Sequence, residues 1–426
     1  FGEVASVASV EAALGPIAAL EDGGAHAAEA AKVEAVAAPV CRREEMAARA
    51  KKAGEGVTPG EADVPCRGQR LFPVARSDTA LVIIDMQNDF LQPDGRIGQH
   101  YKESPIRSGI KGVERLLAQA RKAGMTVAHS RSHRYGAAVN DQFVGSDDKG
   151  YAIYPSLAPK PGEIEVDKWT FGAFASTSLE EELRARGVER ILLCGVLTNV
   201  CIFATASQAV DRFFRVCLVE DACAAFSQEW HDKAVSLISE PQLKKGHNAQ
   251  VGLYFGEVAS VASVEAALGP IAALEDSAPA AKRAKVEVAA APACRRDEMA
   301  ARAKKCNEGV TPGEADVPCR GERLFPVARK DTALVIIDMQ TDFLSPEGRI
   351  GQHYKESTVR DGLAGVERIL AASRKAGLTV AHSRSHRYGA AVRDDLVGAG
   401  DEGYEIYPSL APLPGEIVVD KWTFGA

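Results

Sequence analysis

Two stretches of this 426-residue chain are written twice: Phe1–Asp22 (FGEVASVASVEAALGPIAALED) recurs at 255–276, and Cys41–Ala173 recurs as Cys294–Ala426. A repeat this long sets the organisation before any secondary structure is considered, because each copy must be a folding unit or a piece of one. Its register implies that the chain opens on the end of a preceding copy, runs through one full copy and stops partway into the next. Five segments are expected: a C-terminal remnant at 1–22, a linker with a short helix at 23–70, a complete domain at 71–272, a second linker at 273–323 and a truncated domain at 324–426.

The two linkers are rich in Ala, Pro, Gly, Lys and Glu and lack sustained apolar periodicity, apart from one short helix near EEMAARAKK. The second contains PAAKRAKVE, where Lys282, Arg283 and Lys285 resemble a short nuclear-import signal. The matching stretch of the first, HAAEAAKVE, lacks the first two of these charges, which favours a solvated linker. A net charge of −7 leaves no basic footprint for nucleic acid, and the longest apolar runs, ALVII and ILLCGVL, are too short to span a bilayer. The expected partners are therefore small molecules. Nine cysteines with no CxxC pair read as reduced thiols in a cytoplasmic compartment.

From Leu71 onward, β-branched runs alternate with helical patterns, the signature of a parallel sheet covered on both faces. The spacing predicts strands at 80–85, 126–131, 163–167, 190–196, 214–220 and 251–258. Between them, Ile110, Val113, Leu116, Leu117 and Ala120 share one helix face that Gly124 terminates, and Thr177 with Glu180 reads as a capping box. The fold class is α/β: a doubly wound, six-stranded, mainly parallel sheet with helices on both faces.

In such a sheet the ligand crevice lies outside the carboxyl ends of the strands. Asp85 closes the first strand, Lys168 closes the third, and Cys201 follows the fourth by a short turn at the start of a helix. A thiol there faces unsatisfied N–H groups and the positive end of the helix dipole, and Lys168 would add to that pull towards thiolate. Asp85 then serves as general acid and base. Backbone N–H groups of Leu197 and Cys201 are the candidate oxyanion donors. This is a covalent amidase kit that needs no cofactor.

Blander readings stand beside several of these residues. Cys194, Cys217 and Cys223 fit an apolar core. Gln87 and Asp89 either orient Lys168 or make turn hydrogen bonds. His129 and His133 straddle a strand end, where a spacing of four has no ligand meaning, so no metal is expected. Arg131 and Arg134 sit at the crevice mouth, either holding a substrate carboxylate or lying solvated. Phe90 and Trp169 either wall the pocket or pack core.

The segments DMQNDF, DKWTFGAF and GVLTNVC, followed by EDACAA, resemble the isochorismatase-like cysteine hydrolase superfamily across residues 71–272. The resemblance implies Asp85, Lys168 and Cys201 as a catalytic triad and a cis Val196–Leu197 peptide at the oxyanion hole. It implies C–N bond cleavage, since true isochorismatases lack the cysteine, and it makes a homo-oligomer an expectation. The segment AHSRSHRYGAA lacks the aspartate of the nicotinamidase-type metal motif, so it looks more like the branch of ureidoacrylate, biuret and N-carbamoylsarcosine hydrolases. Nicotinamidase-like or isochorismatase-like hydrolysis, and a non-catalytic repeat scaffold, are the alternatives. In the second copy Asp338 and Lys421 recur without a following GVLTNVC, so an incomplete site with an open strand edge is expected there.

Overall fold

The computed structural model describes residues 3–19, 48–49, 59–100, 102, 104–133, 148–239, 256–275, 313–353, 360–386 and 401–423. They form two compact units, one built from residues 59–239 and 256–275 and the other from 3–19, 48–49 and the described residues from 313 onward. Helix α1 (Val7–Ala19) belongs to the second of these.

The complete unit opens on an antiparallel hairpin, β1 (Ala62–Cys66) and β2 (Arg70–Val74), which lies largely inside the stretch whose composition predicts a linker. Pro65 and Pro73 conceal it, because proline within an apolar run argues against a strand unless the strand lies at an edge or in a ribbon. Val64, Phe72 and Val74 are buried in the core, so the folded domain begins before Leu71. Of the short helix expected near EEMAARAKK, only Ala48 and Arg49 are described, and both are helical.

The main sheet has the order β5-β4-β3-β6-β7-β8, every pair parallel: β3 (Thr79–Ile84), β4 (Thr126–Ser132), β5 (Ile164–Lys168), β6 (Arg190–Val196), β7 (Arg215–Ala224) and β8 (Glu257–Ala259). Strands β3 and β6 are buried along their whole length, as central strands covered on both faces must be. The last strand is shorter than expected; residues 251–255 lie outside the described residues. Winding proceeds outward from β3 in one direction and then restarts at β6 in the other, so the crevice opens between the carboxyl ends of β3 and β6.

Helices α2 (Ile110–Lys122) and α6 (Val261–Glu275) pack on each other and on the sheet, as do α4 (Phe203–Asp211) and α5 (Gln228–Ser239). In α2 the expected face is the buried one, and Gly124 follows the helix with φ 67°. The short α3 (Leu179–Ala185) starts differently from a capping box. The Thr177 hydroxyl accepts from the Leu179 N–H, while Glu180 pairs with Arg212, the residue that follows α4, instead of reaching back to the cap.

In the second unit a hairpin, β9 (Ala315–Cys319) and β10 (Arg323–Val327), precedes a three-stranded parallel sheet of order β11-β12-β13, made of β11 (Ala333–Ile337), β12 (Thr379–Ser385) and β13 (Ile417–Lys421). Helix α7 (Leu363–Lys375) corresponds to α2. Helix α1 packs against α7 and the hairpin, burying Ala13, Leu14 and Ile17 with Val317, Val327 and Ala376. Glu3 pairs with Arg323 at 2.8 Å and Glu11 with Arg368; the complete unit makes the matching pairs Glu257–Arg70 at 2.7 Å and Glu265–Arg115. The first residues of the chain therefore supply the second unit with the helix that α6 provides in the complete one.

Candidate active site

Asp85 leaves the end of β3 with φ 52°, a left-handed conformation that costs a non-glycine residue about 1 kcal/mol. Its N–H donates to the Ser130 carbonyl at 3.1 Å, and the Ser130 hydroxyl donates to its Oδ1 at 2.7 Å. Gln87, fully buried, secures the turn that follows: its amide donates to the carbonyls of Ser132 (3.2 Å) and Tyr151 (3.1 Å), and its Oε1 accepts from the Ser132 N–H at 2.7 Å. Asp89 holds Arg96 through its side chain at 2.8 Å. Of the two roles open to Gln87 and Asp89, these are the turn bonds.

Lys168 ends β5 beside Ser132 of β4. Its ammonium has three N–H donors, and three acceptors surround it: Asp85 Oδ2 at 2.8 Å, the Thr170 carbonyl at 3.1 Å and Cys201 Sγ at 3.4 Å. That full set is what lets a wholly buried lysine stay charged, since an unpaired buried ion costs several kcal/mol. Burial disfavours the ammonium, but Asp85 and Cys201 outweigh it and raise its pKa. The loop after Lys168 is pinned to α4, where Gln208 Oε1 accepts from the N–H groups of Phe174 (3.1 Å) and Ala175 (3.2 Å).

Cys201 is 6% exposed and lies within a single π-helical turn, Thr198–Ile202, that leads into α4. Gly195 makes the approach to this turn possible. Its φ is 120°, and a Cβ there would collide with the Ile84 carbonyl oxygen across the β3–β6 contact. The Val196–Leu197 peptide is cis. The Leu197 carbonyl accepts from the N–H groups of Val200 (3.0 Å) and Ile202 (3.1 Å), and the Thr205 hydroxyl donates to the Cys201 carbonyl at 2.6 Å.

The electrostatics correct one expectation. Helix-start placement and Lys168 are expected to lower the Cys201 thiol. In the folded chain burial pushes the Cys201 thiol up to about 12, Lys168 lowers it only in part, and the hydrogen-bonded Asp85 carboxylate raises it. The helical run begins at Thr198 and continues into α4, so the cysteine lies in its first turn as expected, and burial together with Asp85 outweighs the pull of that placement. The resting Cys201 side chain is a neutral thiol hydrogen-bonded to Asp85.

The other candidate residues are deployed as follows. Arg131 bonds Asp167 at 2.7 Å, pairs with Glu165 at 3.2 Å and lies over the Tyr151 ring, which are structural partners for a residue read as a carboxylate clamp. Arg134 lies outside the described residues. Trp169 stacks on His133 at 4.2 Å, His133 stacks on Tyr151 at 4.6 Å, and Phe90 is buried in the core. His129 bonds Glu163 at 3.1 Å, so the two histidines serve separate contacts. Among the described residues no group of three or more His, Cys, Asp and Glu is arranged to hold a metal ion. Sequence reasoning missed Ser130, although its strand register beside Ile84 and its recurrence as Ser383 both signal it.

In the second unit Lys421 meets Asp338 Oδ2 at 2.7 Å and the Thr423 carbonyl at 3.0 Å, and Ser383 bonds Asp338 Oδ1 at 2.7 Å. No cysteine stands beside this pair among the described residues.

The family model of the isochorismatase domain matches residues 79–262 and 332–426. Ureidoacrylate amidohydrolase RutB of Azorhizobium caulinodans is 27% identical over 239 residues, which cover 50% of this chain and 100% of that protein. An uncharacterized isochorismatase family protein, YecD of Escherichia coli O157:H7, is 34% identical over 170 residues, 38% of this chain and 87% of that one. A solved cysteine hydrolase from Pseudomonas syringae pv. phaseolicola aligns with a TM-score of 0.40 at 26% identity, covering 47% of this chain and 96% of its own. With a family match over both units, and a six-stranded parallel sheet bearing this site in one of them, the chain belongs to the isochorismatase family.

Proposed function

We propose that this chain is a cysteine-dependent amidohydrolase that cleaves a non-peptide C–N bond of a small ureide or carboxamide in its complete unit. The observation that carries the reading is the buried Asp85–Lys168–Cys201 cluster, with its 2.8 Å and 3.4 Å contacts to a single ammonium. Hydrolysis of amide C–N bonds is supported by the family and by the full-length likeness to a ureidoacrylate amidohydrolase.

In this mechanism Asp85 takes the thiol proton along the resting hydrogen bond as Sγ attacks the substrate carbonyl carbon. Negative charge develops on the carbonyl oxygen, towards the N–H groups of Leu197 and Cys201. Asp85 returns the proton to the leaving nitrogen, the C–N bond breaks, and an acyl thioester remains on Cys201. Water then attacks with Asp85 again as base, releasing the acid and regenerating the thiol. Lys168 stays protonated throughout; it holds the carboxylate in place and steadies the sulfur as it becomes anionic.

Free thiols at all six described cysteines support a reducing, cytoplasmic setting, and no described helix is long and apolar enough to cross a membrane. The test is ammonia release by the full chain from a panel of ureides and carboxamides. Release that disappears in Cys201→Ala is the expected result; release that survives it removes the covalent mechanism.

A further inference from the structure

The turn that carries Cys201 is held internally by backbone bonds alone, from the Val200 and Ile202 N–H groups to the Leu197 carbonyl and from the Phe203 N–H to the Thr198 carbonyl. A lone π turn is a sparsely populated geometry, and hydroxyl bonds secure its two ends. At the far end Thr205 binds the Cys201 carbonyl and also receives the Ala173 N–H at 3.1 Å, an anchor made wholly of non-titrating groups. At the near end Thr198, wholly buried and directly after the cis peptide, shares a 2.9 Å hydrogen bond with His231 Nδ1. His231 lies on α5, which packs on the turn, and it is half-buried, so solvent protons reach it.

We propose that His231 is a positioning residue for the nucleophile turn, its neutral imidazole accepting the Thr198 hydroxyl at Nδ1 and so fixing the segment that presents Cys201 and its oxyanion donors. The inference rests on the cysteine-hydrolase reading. The charged groups facing the ring are Asp232 on its own helix, Glu220 on β7 and Arg67 in the β1–β2 turn, and the last two are hydrogen-bonded to each other. Burial lowers the ring's pKa, against the two carboxylates and with the help of Arg67, so the ring is neutral at pH 7. Its lowered pKa fixes the sign: the anchor is intact at neutral pH and is lost as the pH falls through that value. Protonation turns Nδ1 from acceptor into donor, and the buried Thr198 hydroxyl then loses the partner for its own proton.

The experiment compares kcat and KM across pH for the full chain, His231→Leu, His231→Asn, Thr198→Val and the double variant Thr198→Val/His231→Leu. Loss of the bond in His231→Leu should lower kcat about tenfold while KM stays within about twofold. Asparagine offers an acceptor near the Nδ1 position that does not titrate. His231→Asn should recover kcat to within about threefold of the parent and extend the acid limb to lower pH. The double variant should be no slower than the slower single variant. An unchanged kcat and pH profile in His231→Leu, or additive losses in the double variant, would overturn the proposal. If His231→Leu does not fold, the acid limb of His231→Asn decides alone. If no substrate turns over, the hydrolase reading fails first, and iodoacetamide alkylation of Cys201 tests the anchor: a rate at least about threefold higher in His231→Leu supports it, and an equal rate refutes it.

Discussion

The two units hold the same pair of charges in two different surroundings. Lys168 and Asp85 are 2.8 Å apart with side chains 0% and 1% exposed; Lys421 and Asp338 are 2.7 Å apart with side chains 7% and 21% exposed. The geometry is local. Asp85 and Asp338 have φ of 52° and 51°, Gln87 and Gln340 make matching clamps, and His133–Trp169 and His386–Trp422 stack at 4.2 and 4.1 Å. Three strands with their loops suffice to build the dyad. The electrostatics are not local, since the fourth strand and the π turn supply the burial and the thiol that complete the cluster. Strand β11 shows the deficit directly. Val335 and Ile337 are 53% and 46% exposed, where Val82 and Ile84 of β3 are 1% and 0%. Among the described residues β11 pairs on one side only, the open edge expected from the sequence.

Removing the working dyad or thiol should have the largest effect. Cys201→Ala, Asp85→Asn and Lys168→Met should each reduce kcat/KM for ammonia release by about a thousandfold or more, whereas Lys421→Met should leave it unchanged. Equal losses from Lys168→Met and Lys421→Met would erase the distinction between the units.

Stability should separate them next. Lys168→Met strands the Asp85 carboxylate in the core and should cost the complete unit about 3–5 kcal/mol in urea unfolding. Lys421→Met leaves a carboxylate that water partly reaches, and its cost to the second unit should be smaller. Hydrogen exchange resolved by peptide assigns each loss to its unit.

Thiol chemistry gives a graded readout. With its pKa raised to about 12, Cys201 should be alkylated more slowly than an ordinary thiol at pH 8, and its rate should climb with pH until the thiolate forms near that value. Fast alkylation at pH 7 would restore the resting thiolate and contradict the role of burial. The smallest effect is expected at Arg131, whose guanidinium is committed to Asp167 and Glu165. Arg131→Ala should change KM less than about threefold while lowering thermal stability slightly; a large rise in KM would return it to the role of carboxylate clamp.

Much of the fold was legible because it depends on period and length. The all-apolar run of β3, the helical spacing of α2 and the placement of Asp85, Lys168 and Cys201 at strand ends are properties of short sequence windows. What escaped depends on long-range contact. The β1–β2 hairpin is hidden by its prolines and revealed only by the burial of Val64 and Phe72. The protonation of Cys201 is set first by burial and then by Asp85, against the pull of Lys168, so its position at a helix start does not decide it. The hydrogen bonds of Ser130 and of Thr198 with His231 join elements far apart in sequence; register and the recurrence as Ser383 signal the first, and no local pattern announces the second.

On the proposed mechanism one of the two dyads works, because among the described residues only one is enclosed with a cysteine. Ammonia release by three full-length chains tests it most directly: the parent, Cys201→Ala, and Asp338→Asn/Lys421→Ala. The second chain should be silent and the third as active as the parent; turnover by the second, or its loss in the third, would show that the enclosed dyad and its cysteine are not what hydrolyses the amide.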